Sequence, residues 1–365
     1  MSVNLQIDEG EISPLFTAYK SDDFNEFSRL IDAGAPVDCL NKYCEPLLNT
    51  VISDDYCLKN NKKYFDKLIS SGCSIYPAGA NLSPIEKSFL SVKNDFYYIT
   101  KLLEQSTDIN NCKIWPEHDG TYCISSPVLF SALETERYNI IDLVLKKYDN
   151  LKIYNSDDTP IVNFMLGETI DNIELGEKYF PVFIEKGASI DEFDRYGNQP
   201  IHYWAKNYGD YKILDIMIKN KVNINVRDGK GRTALMVACE NYNLNSVNNL
   251  IKNNVNLDTQ SRNGRTALMF SIICFDYEIV NLLLKSKCDK SICDKSGNNI
   301  CHHFASSFYR SKKETELCEK TFKKYPNLLS QKNNEGYTPL EILERTDNET
   351  YLKLKKLHNI NDRCH

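Results

Sequence analysis

Gly231-Arg-Thr-Ala-Leu-Met-Val-Ala returns as Gly264-Arg-Thr-Ala-Leu-Met-Phe-Ser, 33 residues further on. Gly297-Asn-Asn-Ile-Cys-His-His-Phe-Ala follows after another 33, and Gly197-Asn-Gln-Pro-Ile-His-Tyr-Trp-Ala precedes the first copy by 34. A fixed period of this length marks stacked structural repeats. Looser copies extend the series: Ser13-Pro-Leu-Phe, Glu45-Pro-Leu-Leu, Ser83-Pro-Ile-Glu, Ser126-Pro-Val-Leu, Thr159-Pro-Ile-Val and Thr338-Pro-Leu-Glu. The anchors are then Pro14, Pro46, Pro84, Pro127, Pro160, Pro200, Ala234, Ala267, Ile300 and Pro339, spaced by 32 to 43 residues. Ten units cover nearly the whole chain, some of them carrying insertions.

Local chemistry says what a unit is. Ser or Thr before Pro reads as a helix N-cap followed by the first helical residue: the hydroxyl accepts an orphan N–H, and proline sits where no donor is needed. About ten residues later an apolar stripe recurs at helical spacing, as in Phe27, Leu30 and Ile31 or Ile279, Leu282 and Leu283. Gly34, Gly72 and Gly187 follow such stripes, where a left-handed residue ends a helix. A short extended segment then leads to an Asp-x-x-Gly turn. Each unit is therefore helix, turn, helix and hairpin, and hides its apolar face only by stacking on its neighbours.

Composition agrees. Of 365 residues, 42% are hydrophobic and 26% charged, which is the balance of a folded chain and excludes a disordered tail. A net charge of −6 argues against a protein that coats nucleic acid with its whole surface. Met1-Ser-Val-Asn-Leu-Gln-Ile-Asp-Glu-Gly has no basic and then apolar leader, and no apolar run approaches the roughly 20 residues of a membrane span. Thirteen cysteines, an odd number, read as reduced cytosolic thiols packed as small apolar side chains.

The unit resembles the ankyrin repeat, whose pattern is Asp-x-x-Gly-x-Thr-Pro-Leu-His-x-Ala, a second helix ending in Leu-Leu, and Gly-Ala-Asp-Val-Asn. The resemblance is close over residues 194–301 and looser over 1–193 and 302–365, where divergent units with insertions and a C-terminal capping unit are expected. It implies an all-α ankyrin-repeat solenoid of about ten units, forming a single array over 1–365. Departures from the pattern are visible. The helix-ending glycine becomes Lys221, Asn254 and Lys287 in the middle units, and a left-handed lysine there should cost on the order of 1 kcal/mol against glycine. Phe164, Trp204 and Phe304 stand where the family usually has alanine, and should push neighbouring helices apart.

Catalytic motifs are missing. No phosphate-cradling glycine loop, dinucleotide glycine cluster, His-Glu-x-x-His or Gly-x-Ser-x-Gly occurs. His202 and His302 fall at the family's histidine position, which implies hydrogen bonds between adjacent units rather than catalysis. Cys288, Cys293, Cys301, His302 and His303 come nearest to a ligand cluster, but their spacing is not that of a zinc site. No catalytic residue, metal or cofactor is expected.

Binding is the expected role. The resemblance assigns partner contacts to residues around the Asp-x-x-Gly turns and just after the first helix. These are Arg195, Tyr196 and Asn198; Arg227, Lys230, Arg232, Glu240 and Asn241; Arg262, Asn263 and Arg265; Lys295, Ser296 and Asn298. Seven are Lys or Arg and one is Glu, a local reversal of sign on an acidic chain. Two readings stand: a basic ridge that steers an acidic or phosphorylated protein segment, or ordinary solvated turn residues. A further candidate is Trp115, in the inserted segment Asn111-Cys-Lys-Ile-Trp-Pro-Glu-His-Asp-Gly-Thr-Tyr-Cys, which reads as a contact finger or as a cover for its own unit's core. The insertions Gly167 to Lys178 and Ser307 to Glu319 are polar and read as helix extensions on the surface.

The expected function is thus a non-enzymatic, cytoplasmic protein–protein interaction scaffold, monomeric, with no nucleic-acid partner and no membrane insertion. Alternatives are an effector of an intracellular microbe or virus using the same face on host proteins, a metal-dependent enzyme around Cys288 to His303, and a ubiquitin-ligase adaptor. The last rests on Thr338-Pro-Leu-Glu-Ile-Leu, which resembles the start of an F-box but has too few residues after it to build that module.

Overall fold

The computed structural model describes residues 13–41, 43, 45–53, 61–75, 83–89, 96–105, 114–116, 122–124, 127–168, 172–306, 312–347, 349–352 and 355. All ten anchors sit within one residue of a helix start. The chain divides into two compact units, Met1–Ile161 and Val162–His365.

In the first unit the helices run in pairs: α1 (Pro14–Lys20) with α2 (Phe24–Asp32), α3 (Leu47–Ser53) with α4 (Asn61–Ser70), α5 (Pro84–Phe89) with α6 (Phe96–Gln105), and α7 (Val128–Glu134) with α8 (Tyr138–Leu145). Aromatic side chains join one pair to the next. The Tyr64 ring meets Tyr19, Phe24 and Phe27 edge-on at 5.1, 5.2 and 4.9 Å, and its hydroxyl donates to Asp22 at 2.8 Å. Phe65 meets Tyr98 at 4.8 Å, while the Tyr97 hydroxyl donates to Asp66 at 2.5 Å. Offset and edge-on ring pairs of this kind add to the burial of apolar surface. The inserted segment carries the only strands among the described residues, β1 (Ile114–Pro116) antiparallel to β2 (Tyr122–Ile124), with Trp115 opposite Cys123.

The second unit contains α9 (Ile161–Glu168), which begins at the boundary, and α10 (Ile173–Glu185), then α11 (Pro200–Asn207), α12 (Tyr211–Lys219), α13 (Ala234–Glu240), α14 (Leu244–Lys252), α15 (Ala267–Cys274), α16 (Tyr277–Lys285), α17 (Ile300–Ser306), α18 (Lys312–Lys324) and α19 (Pro339–Thr346). The 13-residue α10 and α18 are the longest of these, as the inserted residues before Pro200 and Pro339 led one to expect. Ile213, Leu214 and Met217, then Val247 and Leu250, then Ile279, Val280 and Leu283 form the buried stripes. Trp204 is fully buried, and its indole Nε1 donates to the Asp210 carbonyl at 2.9 Å, closing the turn of its own unit.

The helix ends both follow and depart from expectation. Thr338 caps α19 with a reciprocal bond from Glu341, and Thr266 caps α15. The second helices are capped by acids and amides that the repeat pattern did not single out: Asp23, Asn172, Asp210, Asn243 and Asp276 each accept the N–H of the third residue on. Lys221 and Asn254 are left-handed as expected, with φ of 61° and 57°. Lys287 is not: α16 ends at Lys285, and the next residue, Ser286, leaves the helix in an extended conformation. The left-handed positions also include Tyr242 and Phe275, in the turns between paired helices.

Candidate functional site

Five successive turns of the second unit build one edge: 194–197, 228–231, 261–264, 294–297 and 333–336. Each closes on a glycine with φ between 75° and 84°, a backbone that favours glycine. At the first four, space demands glycine as well. A Cβ on Gly264 would lie 2.6 Å from the Lys295 nitrogen, and one on Gly231 would lie 2.8 Å from the Arg262 nitrogen. The turns touch through their backbones. Arg262 N–H donates to the Lys230 carbonyl at 3.2 Å, Lys295 N–H to Asn263 at 3.0 Å, and Asn334 N–H to Ser296 at 3.0 Å. Gln260 adds a side-chain tie, its amide donating to the Cys293 carbonyl of the next turn at 2.9 Å. The edge is a hydrogen-bonded ladder with side chains set at one repeat spacing.

Buried acids hold each turn from within. Asp194, Asp228 and Asp294 each accept two backbone N–H groups of their own turn at 2.7 to 2.9 Å. The Tyr203 hydroxyl also donates to Asp194, at 2.5 Å, and its burial and this acid raise the phenol's pKa. Burial works to raise the Asp294 pKa. His303, 3.1 Å away, and the N–H groups of Asn298 and Ser296 outweigh it and hold the carboxyl below its ordinary value.

The candidate residues divide according to what the fold already asks of them. Arg227, Lys230, Arg262 and Lys295 are exposed, and their side chains have no ion pair among the described residues. Asn263 and Ser296 are exposed beside them at the tips. Arg195 lies over the Tyr196 ring, 4.9 Å from its centre, and donates to the Tyr196 hydroxyl at 2.7 Å; the pair is exposed. Arg232 is drawn inward instead. Only 15% of its side chain is exposed, and it is paired with Asp228 at 2.7 Å and with Glu240. Arg265 stands 3.9 Å from Asp294. Asn198 donates to Asp194 at 3.2 Å, and Asn241 to the Val237 carbonyl at 2.8 Å. Trp115 belongs to the first unit, where the ribbon fixes its backbone.

The histidines at the family position are structural. His302 Nδ1 accepts the Asn299 N–H at 3.2 Å, and Nε2 lies 3.1 Å from the Tyr337 carbonyl of the next repeat. Burial lowers the pKa of His202 and of His302. Cys239 and Cys301 fill core space, and burial pushes their thiols up, away from the reactive thiolate. Cys288 donates to the Leu283 carbonyl at 3.2 Å.

Residues 201–294 match the family model described as ankyrin repeats (3 copies). The chain carries ankyrin repeats. Its ankyrin edge, the five glycine-closed turns, overlaps the matched region. Among solved structures, the chain is similar to the ankyrin repeat domain of Bcl-3, a member of the IkappaB protein family, at 19% identity and a TM-score of 0.48 over 59% of this chain and 92% of that one. No curated protein sequence matches it. No described helix is long and apolar enough to cross a membrane.

Proposed function

We propose that the chain is a non-enzymatic scaffold whose hairpin tips and inner-helix face hold an extended acidic segment of another protein. The observation that carries this is the charge at the tips. Arg195, Lys230, Arg262 and Lys295 stand exposed on consecutive turns, while the turn acids Asp194, Asp228 and Asp294 are buried beneath them. The ladder fixes the backbones that carry Lys230, Arg262 and Lys295, so these turns need not reorganise to meet a partner, which favours binding by preorganisation. The run ends where Glu335 is exposed at the next tip. The Arg195–Tyr196 pair supplies the aromatic and guanidinium surface that binding hot spots favour. Anchor spacing of 32 to 43 residues from Pro14 to Pro339 supports a single array over 1–365. Buried thiols such as Cys239 and Cys301, held protonated, support a reducing, cytosolic setting.

Fluorescence anisotropy with Glu- and Asp-rich peptides tests this reading. The triple variant Arg227→Glu, Arg262→Glu, Lys295→Glu should weaken binding by about tenfold or more with an unchanged circular dichroism spectrum, and added salt should weaken the wild type. Equal binding by variant and wild type would refute the ridge as the contact surface.

A further inference from the structure

The turn at 261–264 differs from its neighbours at its first residue. Asp194, Asp228, Asp294 and Asn333 each open a turn with one oxygen that accepts two backbone N–H groups, from the second and fourth residues after it. The matching residue here is Ser261. Its shorter side chain accepts only from the Arg265 N–H, at 3.2 Å. The Asn263 N–H, whose counterparts bond the neighbouring acids, has no partner among the described residues. Ser261 is more than nine-tenths buried, and its hydroxyl donates to none of the described residues. The turn has lost a negative charge and kept the donors that charge would have faced.

Ser261 lies in the wall of an open notch of about 470 Å³. Arg227, Arg262 and Lys295 line the same notch from three consecutive hairpins. The one acid among the lining residues, Asp294, has 3% of its side chain exposed, and its oxygens are already engaged by Ser296, Asn298 and His303. Three cations and an undonated hydroxyl thus face one opening, and the one carboxylate in its lining is almost wholly buried.

We infer that the notch is a phosphoryl-binding site, which seats a phosphoserine or phosphothreonine of the partner segment. The inference rests on the proposal that the tips bind an acidic segment, and names the group that segment carries. A carboxylate brings one charge in one plane. A phosphoryl group brings nearly two charges and three acceptor oxygens, which suits cations arriving from three hairpins. Arginine forks at Arg227 and Arg262 and the Lys295 ammonium surround the dianion, and the Ser261 hydroxyl donates to it, with the Asn263 N–H beside it.

The test uses the full chain and a peptide library with a central phosphoserine amid acidic residues. Each selected sequence is remade with serine and with glutamate at that position. The phosphorylated form should bind about tenfold or more tightly than the glutamate form. Ser261→Asp restores the neighbouring turns' carboxylate. It should abolish that preference while leaving the melting temperature equal or higher, because the Asn263 N–H gains the acceptor its counterparts have. Arg262→Gln, at an exposed side chain without an ion pair, should reduce the preference with no cost in folding and serves if Ser261→Asp misfolds. Inorganic phosphate should shift the amide NMR signal of Asn263. Equal binding of phosphoserine and glutamate peptides, still lost on tip charge reversal, would overturn the notch and leave the ridge. Retention of the phosphoserine preference by Ser261→Asp or Arg262→Gln would likewise overturn it. If no acidic peptide binds at all, the ridge itself falls.

Discussion

The two units of the chain face the same demand, to cover helix faces that a single hairpin leaves open, and meet it with different contacts. In residues 13–161 the described links between pairs include aromatic side chains: Tyr64 against Tyr19, Phe24 and Phe27, and Phe65 against Tyr98. In residues 194–336 the links include backbone bonds between successive turns, from Lys230 to Arg262, Asn263 to Lys295 and Ser296 to Asn334. Ring packing asks mainly for volume, which many residues supply. A backbone ladder asks for glycine, because no side chain fits between the turns. Asp158 shows the contrast, taking a left-handed φ of 57° four residues from Tyr154, which bridges Pro160. The contact type therefore decides how strictly a repeat keeps its sequence.

The largest effect should come from the cores. Phe65→Ala in the first unit should cost about 3–5 kcal/mol and Leu283→Ala in the second about 2–5 kcal/mol, read by urea unfolding. Near-neutral shifts at either would mean that its stripe does not carry the stacking. Next, Gly264→Ala should cost at least about 1–2 kcal/mol from its left-handed backbone, with more from displacing Lys295. Hydrogen exchange at the Lys295 amide should speed up in this variant. A tolerated alanine would break the argument that the ladder, rather than local turn chemistry, keeps the glycine.

Acid should act on the second unit in two windows. Burial holds His202 and His302 below the ordinary value of 6.5, so the unfolded chain binds more protons there. Stability is then complete above about 6.5 and falls as pH drops below it. Asp294, held below 3.8, contributes stability above that value that is lost as pH falls through its folded pKa. Melting temperature against pH should show both, and Asp294→Asn should remove the lower window. The smallest effects separate left-handed sites from others. Asp158→Gly and Lys221→Gly should each raise stability by up to about 1 kcal/mol, whereas Lys287→Gly should not, since Lys287 is not left-handed.

Features set by local chemistry could be read from the sequence, and those set by tertiary contact could not. All ten anchors were legible because helix starts and turn glycines are local and chemically restricted. That Arg195, Lys230, Arg262 and Lys295 sit in the turns was legible for the same reason, since the Asp-x-x-Gly spacing is local. The inward turn of Arg232 was not legible, because Glu240 reaches it only once α13 is folded against the hairpin. The caps Asp210, Asn243 and Asp276 lie outside the repeated Thr-Pro-Leu-His segment, yet an Asp or Asn just before each apolar stripe was a readable signal. In the sequence nothing marks Ser261 beyond its standing where Asp194, Asp228 and Asp294 open the other turns. Its importance emerges only when its bonds are set beside those of Asp228 and Asp294.

Amide chemical-shift mapping of the full chain with a selected acidic peptide tests the central claim most directly. Shifts should concentrate at residues 227–232, 260–265 and 293–298. Shifts confined to the inter-helix turns around Tyr211, Tyr242 and Phe275, with the glycine-closed tips unmoved, would contradict it.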